Sequence, residues 1–192
     1  MSSQSRNDRE SRFAGFLQGL AKNENRGALA ALRRGLSAEG SAAAGMHRYI
    51  AGWLLDKDKP WDESCIYLVA ALFGRYPSTE STTGVFGASC RQYMESKGSE
   101  SFERRFVALL AADSASVGVH LRHVISLLAS EGVPVDWAQL LRDLRWWGYP
   151  EGRIQRHWAR EFWKRTEAAN AEQAPNQEAT QQSQSDRIKV KP

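Results

Sequence analysis

The chain has 192 residues, of which 42% are hydrophobic and 25% charged, and its formal net charge is +4. These values describe an ordinary globular chain with room for one sizeable core, and no apolar run approaches the length needed to span a bilayer. The mild positive balance permits an anionic partner without demanding one.

Cys65 and Cys90 are the only cysteines and form no CxxC pattern, so no disulfide framework is expected. The opening MSSQSRNDRESRF is polar where a signal peptide requires an apolar stretch, and the expected location is the cytoplasm, with no membrane partner.

Residues 1–12 read as a polar N-terminal extension. Phe13, Phe16, Leu17 and Leu20 then fall at i, i+3, i+4 and i+7, one face of an α-helix. Leu29, Leu32 and Leu36 repeat the pattern in ENRGALAALRRGL, with Gly35 or Gly40 as the stop. SAEGSAAAGMHRYIAGWLLDKDK is less regular. Pro60 followed by Trp61, Asp62 and Glu63 predicts a helix start, since proline suits the first helical position and acids suit the first turn. The run CIYLVAALF is apolar on nearly all sides and predicts a central helix.

GRYPSTESTTGVFGAS reads as a loop. Glu100 and Glu103 open the next helix, with Phe102, Phe106, Leu109 and Leu110 inward, and Leu121, Val124, Ile125 and Leu128 mark another. Asp136 and Gln139 have the spacing of a capping box, and Gly148 to Pro150 separates two final helices. Strand-like alternation is nearly absent. The predicted fold is all-α, a compact bundle-like helical domain over residues 13–167. The segment 168–192 is rich in Gln, Asn, Ser and Ala and is expected to be a disordered tail, because it has too little apolar surface to offset its ordering entropy.

Residues 136–165, DWAQLLRDLRWWGYPEGRIQRHWAREFWKR, hold five of the seven tryptophans and many arginines. Helical spacing separates the two kinds of residue. Ile154, Trp158 and Phe162 form an apolar stripe, whereas Arg153, Arg156, Arg160 and Lys164 form a second stripe roughly opposite, with Glu161 the only acid from 153 to 165. Solvated surface helices usually mix signs, so a ridge of one sign points to a polyanionic partner; the plainer alternative is an exposed helix that is basic by chance.

Other outward bases are Arg26, Arg33 and Arg34, with Lys22 in line if that helix extends so far, then Arg104 and Arg105, and then Arg122. Whether they converge is not readable from spacing. Trp137 belongs with Leu140, Leu141 and Leu144 in the core, and Trp147 borders that face. For Trp146 and Trp163 packing against another helix is the leading expectation, ahead of a protein partner and of base stacking.

No catalytic constellation stands out. His120 and His123 lack a third ligand at a telling spacing, the zinc patterns HExxH and HxE…CxxC are absent, and so are the P-loop, GxGxxG and GxSxG motifs. Asp56, Asp58, Asp62 and Glu63 lack the order of a calcium loop and read as a solvated loop and helix start. No enzyme activity, cofactor or metal is expected.

Taken in order, ALAALRRG, ESCIYLVAALF, TTGVFGAS, SFERRFVALLAAD, HLRHVISLLASEGVPVDWAQLLRDLRWW and RIQRHWAREFW resemble the CasB family. That family is the small subunit of Cascade, the type I-E CRISPR RNA-guided surveillance complex. The resemblance runs from about residue 13 to about 165. It implies a helical, non-catalytic protein present as two copies stacked head to tail, beside the backbone subunits and the large subunit. It further implies contact with the guide RNA, the target DNA and the displaced single strand, which together make up the R-loop. Carried onto this chain, the family's basic positions fall on Arg33, Arg34, Arg104, Arg105, Arg122, Arg153 and Arg156; similar sequences often have a second base where this chain has His123. With Lys22, Arg26, Arg160 and Lys164 these form the expected nucleic-acid-binding set. The rival expectation is a helical adaptor that binds only proteins.

Overall fold

A computed structural model describes residues 3–35, 41–80 and 82–164. The chain divides into Met1–Phe162 and Trp163–Pro192. Of the second unit Trp163 and Lys164 are described, and the expected tail lies outside the described residues.

The first unit contains, in order, α1 (Ser3–Lys22), α2 (Arg26–Arg34), α3 (Ser41–Ile50), a 3-10 turn (Ala51–Trp53), α4 (Pro60–Arg75), α5 (Phe86–Lys97), α6 (Glu100–Ala111), α7 (Val117–Ser130), α8 (Trp137–Arg145) and α9 (Arg153–Phe162). Among the described residues there is no strand, as the sequence pattern predicts.

Local chemistry sets most of these boundaries. Pro60 stands in the first turn of α4, and Asp62 accepts a hydrogen bond from the Lys59 N–H, satisfying a donor that the helix leaves orphaned. Asn25 caps α2 through the Ala28 N–H, and Ser99 caps α6 through the Phe102 N–H. Asp136 caps α8 by accepting from the Gln139 N–H at 2.8 Å. The Gln139 side chain does not close the predicted box. It donates instead to Asp143 at 2.7 Å and accepts from Arg142 at 3.0 Å.

The core is continuous. α4 is buried along most of its length, with Cys65, Ile66, Val69, Ala70, Ala71, Leu72 and Phe73 all inside, which explains its nearly all-round apolar sequence. Helix α2 lies along α4, α8 and α7 pack against it, and α9 packs on α5 and α6. The α2–α4 contact requires glycine: a Cβ on Gly74 would stand 2.6 Å from Leu32 Cβ and 2.7 Å from Arg33 N. Gly87 has the same role where α5 meets α9, since a Cβ there would come within 2.1 Å of the Trp158 carbonyl oxygen. Burial pushes the Cys65 thiol up to about 12, so it is a protonated, inert core group.

Three expectations need correction. The stretch read as one loop from Gly74 to Ser89 is shorter, because α4 runs to Arg75 and α5 begins at Phe86. Its apolar residues Phe86, Cys90 and Tyr93 recur at i, i+4 and i+7 and are buried, but they are diluted by glycine and serine. The polar extension of residues 1–12 is largely helical, since α1 begins at Ser3. The acidic loop is also structural: Arg9 forks onto both oxygens of Asp58 and donates to the Trp53 carbonyl, while Glu10 meets Arg145 in the interior. A polar stretch can therefore pack by ion pairing where hydrophobic periodicity gives no signal.

Burial alone would raise the Asp58 carboxyl, but hydrogen bonds from Arg9 and the Leu55 N–H, with the charges of Arg9 and Arg145, hold it below its ordinary value of 3.8. A carboxyl depressed in the fold contributes stability that is complete above its unfolded value and is lost as pH falls through the depressed one. Asp58→Asn should therefore lower stability at neutral pH and flatten the acid limb of a urea-unfolding series recorded against pH. Gly87→Ala should cost about 1–3 kcal/mol through overpacking. Gly15→Ala, where a Cβ meets nothing within 4 Å on an exposed helix face, should add about 0.5–1 kcal/mol in the same assay.

Candidate nucleic-acid interface

The fold divides the arginines of the tryptophan-rich stretch into two groups. Arg145 is buried, pairing with Glu10 at 2.5 Å and lying 3.8 Å from Asp62, and Arg142 bonds Gln139 and Ser11. Both tie α8 to neighbouring elements. Arg153, Arg156 and Arg160 are exposed along α9, and no ion pair engages them among the described residues.

What turns them outward is Trp158. Its ring is fully buried against Phe86 and Trp147, at centroid distances of 4.7 and 4.9 Å. Its indole N–H donates to Asp143 Oδ2 at 2.7 Å. Phe162, one turn on, stacks on Phe106 at 4.2 Å. With that stripe fixed inward, the basic stripe roughly opposite faces solvent. Lys164 lies beyond α9, which ends at Phe162, and belongs to the second unit.

Asp143 is itself a buried carboxyl. Burial raises it above its ordinary value, opposed by the hydrogen bonds from Trp158 and Gln139 and by the charges of His157 and Arg142.

A second surface forms on α6 and α7. Arg104 and Arg105 of α6 line a shallow groove of about 350 Å³ with His120 and His123 of α7. His123 also borders a neighbouring groove of about 340 Å³, beside Arg122, Val119 and Tyr67, which reaches Gly35 at the end of α2. Exposed Arg33 and Arg34 immediately precede that glycine. The sequence-predicted bases Arg104, Arg105 and Arg122 therefore line adjoining grooves joined at His123, while Arg33 and Arg34 line neither. Arg104 has a loose, exposed partner in Glu100 at 3.9 Å, a pair of little energetic weight. Arg33, Arg34, Arg105 and Arg122 have no ion pair among the described residues.

Lys22 and Arg26 do not share a helix. α1 stops at Lys22, Glu24 takes a left-handed φ of 49°, and Asn25 caps a new helix, so the stripe imagined from Lys22 through Arg26 is broken. Arg26 lies at the end of α2 away from Arg33 and pairs loosely with Glu24 at 3.8 Å.

The tryptophans also divide. Trp137 is core as predicted, and Trp147 is buried with its N–H on the Ala112 carbonyl at 2.9 Å. Trp146 is 47% exposed rather than packed against another helix, and Trp163 is likewise exposed. The neighbouring Trp147 fills the interior, so Trp146 points away, against Tyr149 at 4.6 Å.

Reading the sequence missed Tyr67, whose hydroxyl meets His47 Nδ1 at 2.6 Å on the rim of the α4–α7 groove. It sits inside the apolar run CIYLVAALF, where its hydroxyl was the one available signal. Among the described residues no group of three or more His, Cys, Asp or Glu is placed to hold a metal ion, and no helix is long and apolar enough to cross a membrane.

The profile of the family described as CRISPR-associated protein Cse2 matches residues 28–163. The chain belongs to the Cse2 family. A Cse2-family relative, CRISPR-associated protein Cse2 of Thermus thermophilus, is 34% identical over 137 residues, covering 71% of this chain and 78% of its own. The crystal structure of a Thermus thermophilus Cse2-family protein superposes with a TM-score of 0.69 at 31% identity, over 86% of this chain and 100% of that one. A chain of a solved CRISPR RNA-guided surveillance complex gives a TM-score of 0.75 at 26% identity, over 87% and 98%. The Cse2-family match takes in the whole α6–α7 surface and α9, while α1 precedes it.

Trp158→Phe keeps the ring in the core but removes the donor to Asp143. Stability at pH 7 should fall by about 1–3 kcal/mol. Since a protonated Asp143 needs that donor less, the difference from the parent chain should shrink as pH falls through the raised folded value, as urea titrations at several pH values would reveal.

Proposed function

We propose that this chain is a non-catalytic subunit of a type I-E Cascade RNA-guided surveillance complex. In this role its basic helix faces bind nucleic-acid backbone and stabilise the guide RNA–target DNA R-loop, including the displaced single strand. The observation that carries the reading is that Arg33, Arg34, Arg105, Arg122, Arg153, Arg156 and Arg160 are exposed and carry no ion pair among the described residues, whereas Arg9, Arg91, Arg142 and Arg145 are engaged by other side chains. The likeness to a chain of a CRISPR RNA-guided surveillance complex supplies the context.

The chemistry suits the role. In RNA-guided recognition base pairing reads the sequence, so the protein needs contacts to backbone rather than to base edges. Exchange of a DNA duplex for an RNA–DNA hybrid is nearly balanced, and modest phosphate contacts can tip it. Guanidinium groups supply bidentate, always-charged contacts to phosphate. Partners on this reading are the backbone and large subunits of the complex, a second copy of the chain stacked head to tail, the guide RNA and both DNA strands.

A protein-only adaptor is the second reading. Its support is apolar exposure on the same two helices: Val119, on the rim of the α4–α7 groove, is 58% exposed and Val107 of α6 is 48% exposed.

The two readings predict different salt behaviour. On the nucleic-acid reading, Arg104→Ala, Arg105→Ala and Arg122→Ala combined should weaken single-strand binding and flatten log K against log salt by about 0.7 for each phosphate no longer neutralised. Gel shifts of the free chain in low salt, and of the assembled complex, check this. An unchanged slope and affinity would leave the adaptor reading in its place.

A further inference from the structure

The turn between α8 and α9 exposes a paired aromatic surface that the phosphate contacts do not use. Trp146 and Tyr149 are 47% and 49% exposed, their ring centroids 4.6 Å apart and their planes tilted by 48°. Together with Pro150, Ile154, Arg153 and His157 they line a cleft of about 560 Å³.

The platform is rigid. The Tyr149 N–H bonds the Trp146 carbonyl at 3.3 Å, the Gly152 N–H bonds the Tyr149 carbonyl at 3.1 Å, and Gln155 holds the Trp147 carbonyl at 2.9 Å. Two large rings are thus held half in water by a turn that leaves them little freedom to fold away, which lowers the ordering cost of binding a ligand there.

The surroundings select the ligand. Arg153 forms one wall of the cleft and is also the first residue of the unpaired ridge Arg153, Arg156 and Arg160, which extends about 10 Å along α9. Glu151 is the one carboxylate on the lining and sits on the turn before α9, whereas Arg153 and His157 stand on α9 itself, so an anionic chain is favoured on the α9 side. An aromatic surface at the head of a line of free guanidinium groups has the form of a single-strand site, in which bases stack and phosphates follow the cations.

We infer that the Trp146–Tyr149 cleft receives one unpaired nucleobase of a single strand whose phosphates run along Arg153, Arg156 and Arg160. This inference rests on the proposed phosphate-binding role of α9. Because the rings form an open V rather than a parallel slot, the base stacks on one face and no edge is read, so binding is tolerant of sequence.

The test uses the full-length chain in low salt, with a short fluorescein-labelled oligothymidylate and an abasic deoxyribose-phosphate oligomer of the same length. Trp146→Ala with Tyr149→Ala should raise the Kd for oligothymidylate about tenfold, with the salt slope and the abasic Kd unchanged. Trp146→Phe with Tyr149→Phe should retain most of the affinity, and circular dichroism should show parental melting for both. Arg153→Ala, Arg156→Ala and Arg160→Ala combined should weaken both oligomers and lower the slope.

Equal binding of the two oligomers by the parent chain, or no effect of the alanine pair, overturns the stacking inference while leaving phosphate binding in place. Absence of any salt-dependent binding overturns both. If the alanine pair instead abolishes self-association in sedimentation with oligonucleotide affinity unchanged, the cleft is a protein interface and the inference fails.

Discussion

A carboxylate removed from water costs several kcal/mol unless donors meet it. Asp143, buried in α8, is met by Gln139 from the preceding turn and by the indole of Trp158 from α9. The second bond joins two helices across the interior, and the tight approach of Gly87 to the Trp158 carbonyl adds a steric limit from α5. Between them these contacts leave α9 a single way to lie. Rotating it would take from a buried carboxyl one of its two donors, pull Trp158 from Phe86 and Trp147, and disturb the close approach at Gly87. The direction in which Arg153, Arg156 and Arg160 face is thus set by contacts on the other side of the helix.

The same logic distinguishes two uses of arginine. Arg9 and Arg145 serve as interior clamps, each held by a carboxylate from a distant element, and removing one partner would strand a buried charge. The exposed arginines of α2, α6, α7 and α9 stand on helices whose opposite faces are locked into the core, so the backbone beneath them is rigid while the guanidinium groups stay solvated. They cost the fold little and contribute little to it. That combination of a fixed base and an uncommitted charge is what backbone recognition requires, because phosphates are engaged by position and by charge alone.

Much of this was legible in the sequence, and the rest was hidden for identifiable reasons. Apolar period located α2 and α7, and period with a recognisable start located α4, α6 and α8, because each carries a continuous apolar face. Helical spacing correctly separated Trp158 from the arginines written beside it. It gave no guide to the exposure of Trp146, since packing against another helix was expected from the size of its ring, and Trp146 stands just past the end of α8 with no helix over it. The helical character of residues 3–12 was hidden because Arg9 and Glu10 pack through charge, which periodicity does not register. Convergence of Arg104, Arg105 and Arg122 around His123 depends on how α6 crosses α7, a tertiary fact absent from either helix alone.

A net charge of +4 is slight for the proposed contact with nucleic-acid backbone, yet the total conceals the arrangement. Several acids on this chain are spent on structure: Glu10, Asp58 and Asp143 face inward, and Glu95 and Glu131 pair with Arg91 and Lys97. Charges neutralised inside or within pairs contribute little to the external field, which falls off within about 8–10 Å at physiological salt. What a phosphate meets at the α6–α7 grooves or along α9 is therefore the local set of free guanidinium groups. On the proposed reading such a surface would bind weakly and reversibly by itself and gain effect where neighbouring subunits hold the strand close, since tethering raises effective concentration without adding any interaction. A modest sum with a segregated distribution suits a subunit that acts inside an assembly better than a high overall charge, which would draw it to any nucleic acid in reach.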